Sequence, residues 1–248
     1  LLIELVYLNE PKTFYKFGDG DYYFLRKEPV GSATPGRRAL SKGYDQINHE
    51  AFVTGAELCD YYTCEIYPTN RARFADVISR KVDYPAEFGY GLVTNKWLLE
   101  TFSGRIGLIG ADQKMNIIQN LMEAPQYQDY LGLEKFEDYI SLPQKFACDD
   151  IDATEQMVAE QLKNSTSKIF LMGMGHVKSG LIHRLKKHAN AVFLDVGASI
   201  DALAGIIDVN RPFAGDWTNY QIDEPHLYEG VDFLAYEGQG KHITLSRE

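Results

Sequence analysis

Two aspartates one residue apart in Lys16-Phe17-Gly18-Asp19-Gly20-Asp21-Tyr22 could share a hard cation. Mg²⁺ or Mn²⁺ commonly takes one or two protein carboxylates and fills its remaining positions with water and substrate phosphates. The same tetrapeptide, Gly-Asp-Gly-Asp, also reads as a simple turn. A second constellation, Gly173-Met174-Gly175-His176-Val177-Lys178-Ser179-Gly180, follows an apolar run and opens a helical pattern. Backbone N–H groups at such a helix start attract phosphate, and the glycines let a ligand approach the main chain. Asp195 lies about 20 residues on, where an acidic side chain can hold a ribose hydroxyl. Gly180 falls one place late for a strict G-x-G-x-x-G, so a βα turn without a ligand is the competing reading.

A third group, Thr69-Asn70-Arg71-Ala72-Arg73, sits on the first turn of a helical pattern, with Lys96 and Arg105 further along. A guanidinium fork fits phosphate oxygens and could neutralise a diphosphate; the alternative is a solvated helix face. Asp112, Asp201, His176 and the His49-Glu50 pair are candidates for accepting a proton. The other histidines are scattered without zinc-site spacing, and neither Ser179 nor Ser199 lies in a G-x-S-x-G elbow. Tyr22, Tyr23, Trp217 and Tyr220 could line a groove that stacks on sugar rings.

The elements that must position these groups alternate between strand and helix patterns, which predicts an α/β fold with a mostly parallel sheet flanked by helices. Thr13 to Phe17 reads as a strand ending at the Gly/Asp turn, and Arg105 to Ile109 as a strand followed by a helix through Leu121. Ile151 to Leu162 reads as a helix with Asp152 as N-cap and Glu155 in the capping-box position. Lys168 to Met172, Val177 to Lys187 and Ala191 to Leu194 form a βαβ unit, whose glycines mark the strand end that faces a ligand. Phe233 to Tyr236 and His242 to Leu245 flank Glu237-Gly238-Gln239-Gly240 as a C-terminal β-hairpin. Without a Pro/Ser-rich linker, residues 1–248 read as one domain of two packed α/β halves, changing over near 142–149.

Composition narrows the classes. The 248 residues carry 25 Lys plus Arg against 35 Asp plus Glu, a net charge of −10, which argues against a duplex nucleic-acid binder. The apolar run Leu1 to Leu8 is short and broken by Glu4, so stable membrane insertion is not expected. Cys59, Cys64 and Cys148 form no zinc spacing and suit a reducing compartment, hence a cytoplasmic expectation. The chain starts at Leu1 rather than Met, which fits a domain cut from a longer chain.

The order of these segments resembles glycosyltransferases of the GT-D type, a Rossmann-like family first recognised among bacterial adhesin-glycosylating enzymes. The family's strand ending in Arg-Phe-Gly-Asp-Gly-Glu corresponds to Lys16-Phe17-Gly18-Asp19-Gly20-Asp21, and its Thr-Arg-Pro-Tyr region is similar to Thr69 to Phe74. Its Arg-x-Ile-x-Ile-x-Gly segment resembles Arg105 to Gly110, and its late βαβ series resembles Phe170 to Gly197. Lys16 stands for Arg and Asp21 for Glu, and Gly110 to Met115 and Asp195 to Asp201 depart from the family pattern. The resemblance implies a Rossmann-like fold and transfer of a sugar from a nucleotide diphosphate sugar to a hydroxyl of a glycan acceptor, protein- or lipid-linked. It implies a divalent metal on Asp19 and Asp21, with Asp19, Asp21, Asp112 and Asp201 as catalytic carboxylates. Lys16, Phe17, Gly18, Arg71, Gly173, Gly175, His176, Asp195 and Gly197 would then bind the donor. Asp195-Val196-Gly197-Ala198-Ser199 also looks like the first motif of class I methyltransferases, although only about 50 residues follow it. S-adenosylmethionine-dependent methyl transfer is therefore the alternative, with a non-catalytic glycan-binding domain as a further one.

Overall fold

The computed structural model of the protein describes residues 1–28, 39–208 and 241–242. Seven strands form one all-parallel sheet: β1 (Lys12–Phe17), β2 (Tyr61–Cys64), β3 (Tyr84–Pro85), β4 (Ile106–Ala111), β5 (Asp138–Leu142), β6 (Ile169–Gly173) and β7 (Val192–Asp195). Their order is β3-β2-β1-β7-β6-β4-β5. The chain therefore builds one edge of the sheet, crosses to build the other, and then fills the centre with β6 and β7. The fold is α/β and Rossmann-like. Strands that follow residues 142–149 lie between strands that precede it, so this stretch is a connection within a single sheet.

Period-two alternation buries both faces, as a parallel sheet covered by helices requires. Phe14, Leu108, Leu171, Val192 and Leu194 face one core, shared with α1 (Leu2–Tyr7), α5 (Ala86–Thr94), α6 (Trp97–Thr101), α7 (Asp112–Leu121), α8 (Pro125–Leu131) and α11 (Ser199–Leu203). Tyr15, Phe17, Ile109, Phe170, Met172 and Phe193 face the other. That face carries α2 (Asp19–Arg26), α3 (His49–Ala56), α4 (Pro68–Val77), α9 (Ile151–Leu162) and α10 (Lys178–Leu185).

Adjacent strands β4 and β6 send their connections in opposite directions: α7 and α8 lead from β4 outward to β5, and α10 leads from β6 inward to β7. In open α/β sheets ligands bind at the carboxyl ends of the strands beside such a reversal. Glycines lie at these ends where backbone and side chains approach closely. A Cβ on Gly173 would lie 2.8 Å from Ile200 Cβ and 2.9 Å from the Gly197 carbonyl, and one on Gly110 would lie 2.9 Å from Met115 Cε.

The strands and the βαβ unit follow their sequence patterns closely, but α9 is capped differently from the expectation. Asp150 is the N-cap, accepting from the amides of Asp152 at 3.1 Å and Ala153 at 2.9 Å. Asp152 and Glu155 instead bind Arg184 of α10, at 2.7 and 2.8 Å. β8 (Ile207–Asp208) pairs antiparallel with β9 (Lys241–His242) as a separate small sheet. The Phe233 to Tyr236 strand, Trp217 and Tyr220 lie outside the described residues. Among the described residues no helix is long and apolar enough to cross a membrane.

Candidate functional site

The corner between β1 and α2 is built by Asp21. Gly18 is the helix N-cap, and Asp21 Oδ2 accepts the Gly18 amide at 2.8 Å, closing a capping box that buries the carboxylate. Lys178, the first residue of α10, places Nζ 2.9 Å from Asp21 Oδ2 and 2.9 Å from Asp195 Oδ2, and also donates to the Lys16 carbonyl. Asp195 in turn accepts the Lys16 amide at 3.2 Å through Oδ2 and the Gly197 amide at 2.9 Å through Oδ1. One buried ammonium thus joins the ends of β1 and β7 to the start of α10. Both carboxylates hold the Lys178 pKa well above the ordinary lysine value, against the opposing effect of burial. In the sequence Lys178 lies within the glycine-rich turn motif, which gives it no role of its own. A lysine in the first turn of a helix opposes the helix dipole, and that was the available signal for an acidic partner.

Lys16 behaves differently. The residue is 8% exposed, and Nζ lies 3.4 Å from where a Gly197 Cβ would stand and 3.8 Å from a Gly18 Cβ. It sits 5.0 Å from the centre of the Tyr90 ring. No hydrogen bond or ion pair to the ammonium is found among the described residues. Burial lowers its pKa, and the neighbouring Lys178 lowers it further. Gly197 has φ +52°, so the chain turns tightly beside this amine, and Gly175, at φ +58°, turns it after β6.

On the other side of β1, Arg71 projects from the first turn of α4 and donates through Nε to the Glu65 carbonyl at 3.0 Å. The Glu65 carboxylate is held by Asn70 at 2.7 Å and by the Tyr90 hydroxyl at 3.3 Å. β1 and β2 end side by side, with Phe17 opposite Cys64, so Lys16 and the Arg71 that follows β2 belong to one edge. Arg73 turns away and binds Tyr23 OH at 2.7 Å, with its guanidinium over the rings of Tyr22 and Tyr23. Glu65 and Tyr90 were not singled out from the sequence.

In the turn after β6, His176 stacks on Phe24 with ring centres 4.9 Å apart, and its buried Nδ1 points to Asp21 Oδ1 at 4.0 Å without a hydrogen bond. Burial lowers its pKa, with Asp21 opposing. Gly20 leaves room for this ring, since a Cβ there would be 3.0 Å from Cε1.

The remaining sequence candidates separate into open and committed groups. Asp19 and Asp112 are exposed at the first positions of α2 and α7, and each accepts the next amide of its own helix, at 2.8 and 2.7 Å. Asp201 is buried in an ion pair with Lys114. His49 is buried with Nε2 2.9 Å from the Phe24 carbonyl. Phe17 is a core residue, edge-on to Phe74 at 5.4 Å. Arg105 lies before β4, at the opposite end of the sheet from the carboxyl edge, and stacks on Tyr7 at 4.7 Å. Lys96 lies over Tyr130 at 3.7 Å.

The donor set is poor for the expected two-carboxylate cation site: Asp21 Oδ2 is taken by the Gly18 amide and the Lys178 ammonium, leaving Oδ1 alone, and Asp19 stands in solvent. Among the described residues no three His, Cys, Asp or Glu side chains are grouped to hold a metal ion.

No family model and no curated protein matches the chain. A solved structure does: a glycosyltransferase (DUF1792) from Streptococcus sanguinis, with a TM-score of 0.51 and 13% identity over 96% of this chain and 94% of the other. At that identity the shared property is the fold, a parallel α/β architecture like that of this glycosyltransferase across nearly the whole length of both chains.

Proposed function

We propose that the chain is a glycosyltransferase of the GT-D kind, moving a sugar from a nucleoside diphosphate sugar to a hydroxyl of a glycan acceptor. The supporting observation is the Lys16 ammonium, buried and unpartnered among the described residues, between two glycines at the ligand edge of the sheet. A buried charge without a partner is costly, and a bound anion would offset that cost. The fold shared with a solved glycosyltransferase agrees with this reading.

In the transfer, the bond between the anomeric carbon and the donor phosphate oxygen breaks, and the electron pair leaves with the diphosphate. Lys16, Arg71 and the outward amides of the Gly175-His176 turn would meet that charge, which grows in the transition state and is stabilised by fixed donors. The acceptor oxygen bonds to the anomeric carbon and releases its proton. Asp19 and Asp112 are the carboxylates open to receive it, while Asp21 and Asp201 hold ammonium groups. Methyl transfer from S-adenosylmethionine would draw on Asp195 for the ribose, and both oxygens of Asp195 are already engaged.

Thermal unfolding in the presence of UDP, GDP, dTDP or S-adenosylmethionine tests the reading, because a ligand that binds only the native state raises its stability. A shift with one nucleoside diphosphate that disappears in Lys16→Met is expected. A shift with S-adenosylmethionine alone would replace the transferase with a methyltransferase.

A further inference from the structure

We propose that Lys178 occupies the cation position of this site, so that the donor is bound and its leaving charge met by protein cations without a divalent metal. The proposal rests on the transferase reading for its ligand, but its geometric basis is independent of it. The Lys178 ammonium is bounded by Asp21 Oδ2 and Asp195 Oδ2, each at 2.9 Å, and by the Lys16 carbonyl. Two carboxylates and a backbone carbonyl are the oxygen set that a hard cation takes. An ammonium has three protons, and here each has an acceptor.

The rest of the cluster closes the position to an incoming ion. Asp21 Oδ2 also takes the Gly18 amide at 2.8 Å, and Asp195 takes the amides of Lys16 and Gly197. A divalent ion bridging Asp19 and Asp21 would find only Oδ1 of Asp21, because Oδ2 is held by the Gly18 amide and Lys178, and it would stand beside the Lys178 ammonium, which repels it. It would also face the buried Lys16 ammonium, which has no direct ion pair among the described residues and repels a second cation. The division of labour follows from the geometry. Lys178 locks the corner of β1, β7 and α10, and Lys16, held in place by that corner through its own amide and carbonyl, presents its amine to the ligand.

The test combines Mn²⁺ binding by the purified chain, read from loss of the free-ion electron paramagnetic resonance signal, with nucleotide-dependent thermal unfolding. Wild-type protein should leave millimolar Mn²⁺ free, and the shift produced by UDP, GDP or dTDP should be the same in EDTA as in Mn²⁺. Lys178→Ala empties the position, so this variant should be less stable than wild type in EDTA and should gain both Mn²⁺ binding and stability when the ion is added. Stoichiometric Mn²⁺ binding by wild type that is lost in Asp21→Asn would overturn the proposal, as would a folded Lys178→Ala that takes up no ion. Where Lys178→Ala does not fold, the wild-type titration decides alone. If no nucleotide shifts the wild-type protein, the transferase reading fails, while the Mn²⁺ titrations still judge the place of Lys178.

Discussion

Lys16 and Lys178 bear the same charge at the same edge of the sheet, but only Lys178 has carboxylate partners. That difference separates a structural cation from a ligand-binding one and makes an unusual mutational prediction. Lys16→Met removes a buried ammonium whose burial outweighs the pull of Asp195, Glu65 and Asp21, so its urea midpoint should equal or exceed that of wild type. Its affinity for a nucleoside diphosphate should fall by roughly 10- to 100-fold, the worth of a charge-assisted hydrogen bond of about 1.5–3 kcal/mol. Parallel urea titrations and nucleotide titrations check both halves; a large loss of stability would mean that Lys16 is structural. Lys16, Asp19, Gly175 and Arg71 stand out in the sequence because they lie in local motifs. The roles of Asp21 and Asp195 were not legible, since both depend on an ammonium carried by another element: Lys178 opens α10, while Asp21 lies in α2 and Asp195 ends β7. Spacing reports which groups are adjacent in sequence, and says nothing of a partner that folding brings from another element.

At the scale of elements, the site depends on how closely α10 approaches α3. Gly55 makes that approach possible: a Cβ there would stand 2.5 Å from the Ser179 carbonyl and 2.8 Å from His183 Cε1. Backbone cannot yield as a side chain can, so Gly55→Val should push α10 outward and cost about 1–3 kcal/mol. Because Lys178 opens α10, the same variant should weaken nucleotide binding. Gly89 on α5 is the control, with nothing within 4 Å of its would-be Cβ. Gly89→Ala should be neutral or stabilise by up to about 1 kcal/mol through helix propensity. Chemical denaturation of the two variants distinguishes packing from propensity, and equal effects would contradict the close crossing. The strands β1, β4, β6 and β7 and the helices between them were readable from apolar runs and glycine punctuation. The cap of α9 was not, because Asp150 and Asp152 both have capping chemistry and only the pull of Arg184 on Asp152 decides between them.

At the scale of the molecule, sheet order was the least legible feature. Strands from opposite ends of the chain, β1 and β7, lie side by side, and no local pattern encodes that pairing. The assembled protein should lose stability in acid in two stages. His183 has a buried, unpartnered Nδ1, and its pKa is lowered from 6.5 to about 4, by burial first and then by Arg184 and Lys187, with Glu155 opposing. The unfolded chain therefore takes up a proton that the folded chain refuses. Stability from this group is complete above the unfolded value and is lost as pH falls toward the folded one. His49 and His176 are shifted in the same direction. Below that range Asp60, Asp138 and Glu155, whose pKa values are lowered by hydrogen bonds and nearby cations, add a further loss as they protonate. Urea midpoints should fall from pH 7 to pH 4, and His183→Gln should flatten that slope; an unchanged slope would contradict the assignment. The central claim is that the carboxyl edge of the sheet, at the end of β1, holds a nucleoside diphosphate on Lys16. Its most direct test is a thermal-shift titration of wild type and Lys16→Met with UDP, GDP and dTDP. A concentration-dependent rise in wild-type Tm with one of them, absent in Lys16→Met, is the predicted result; identical responses of the two proteins, or none in either, would contradict it.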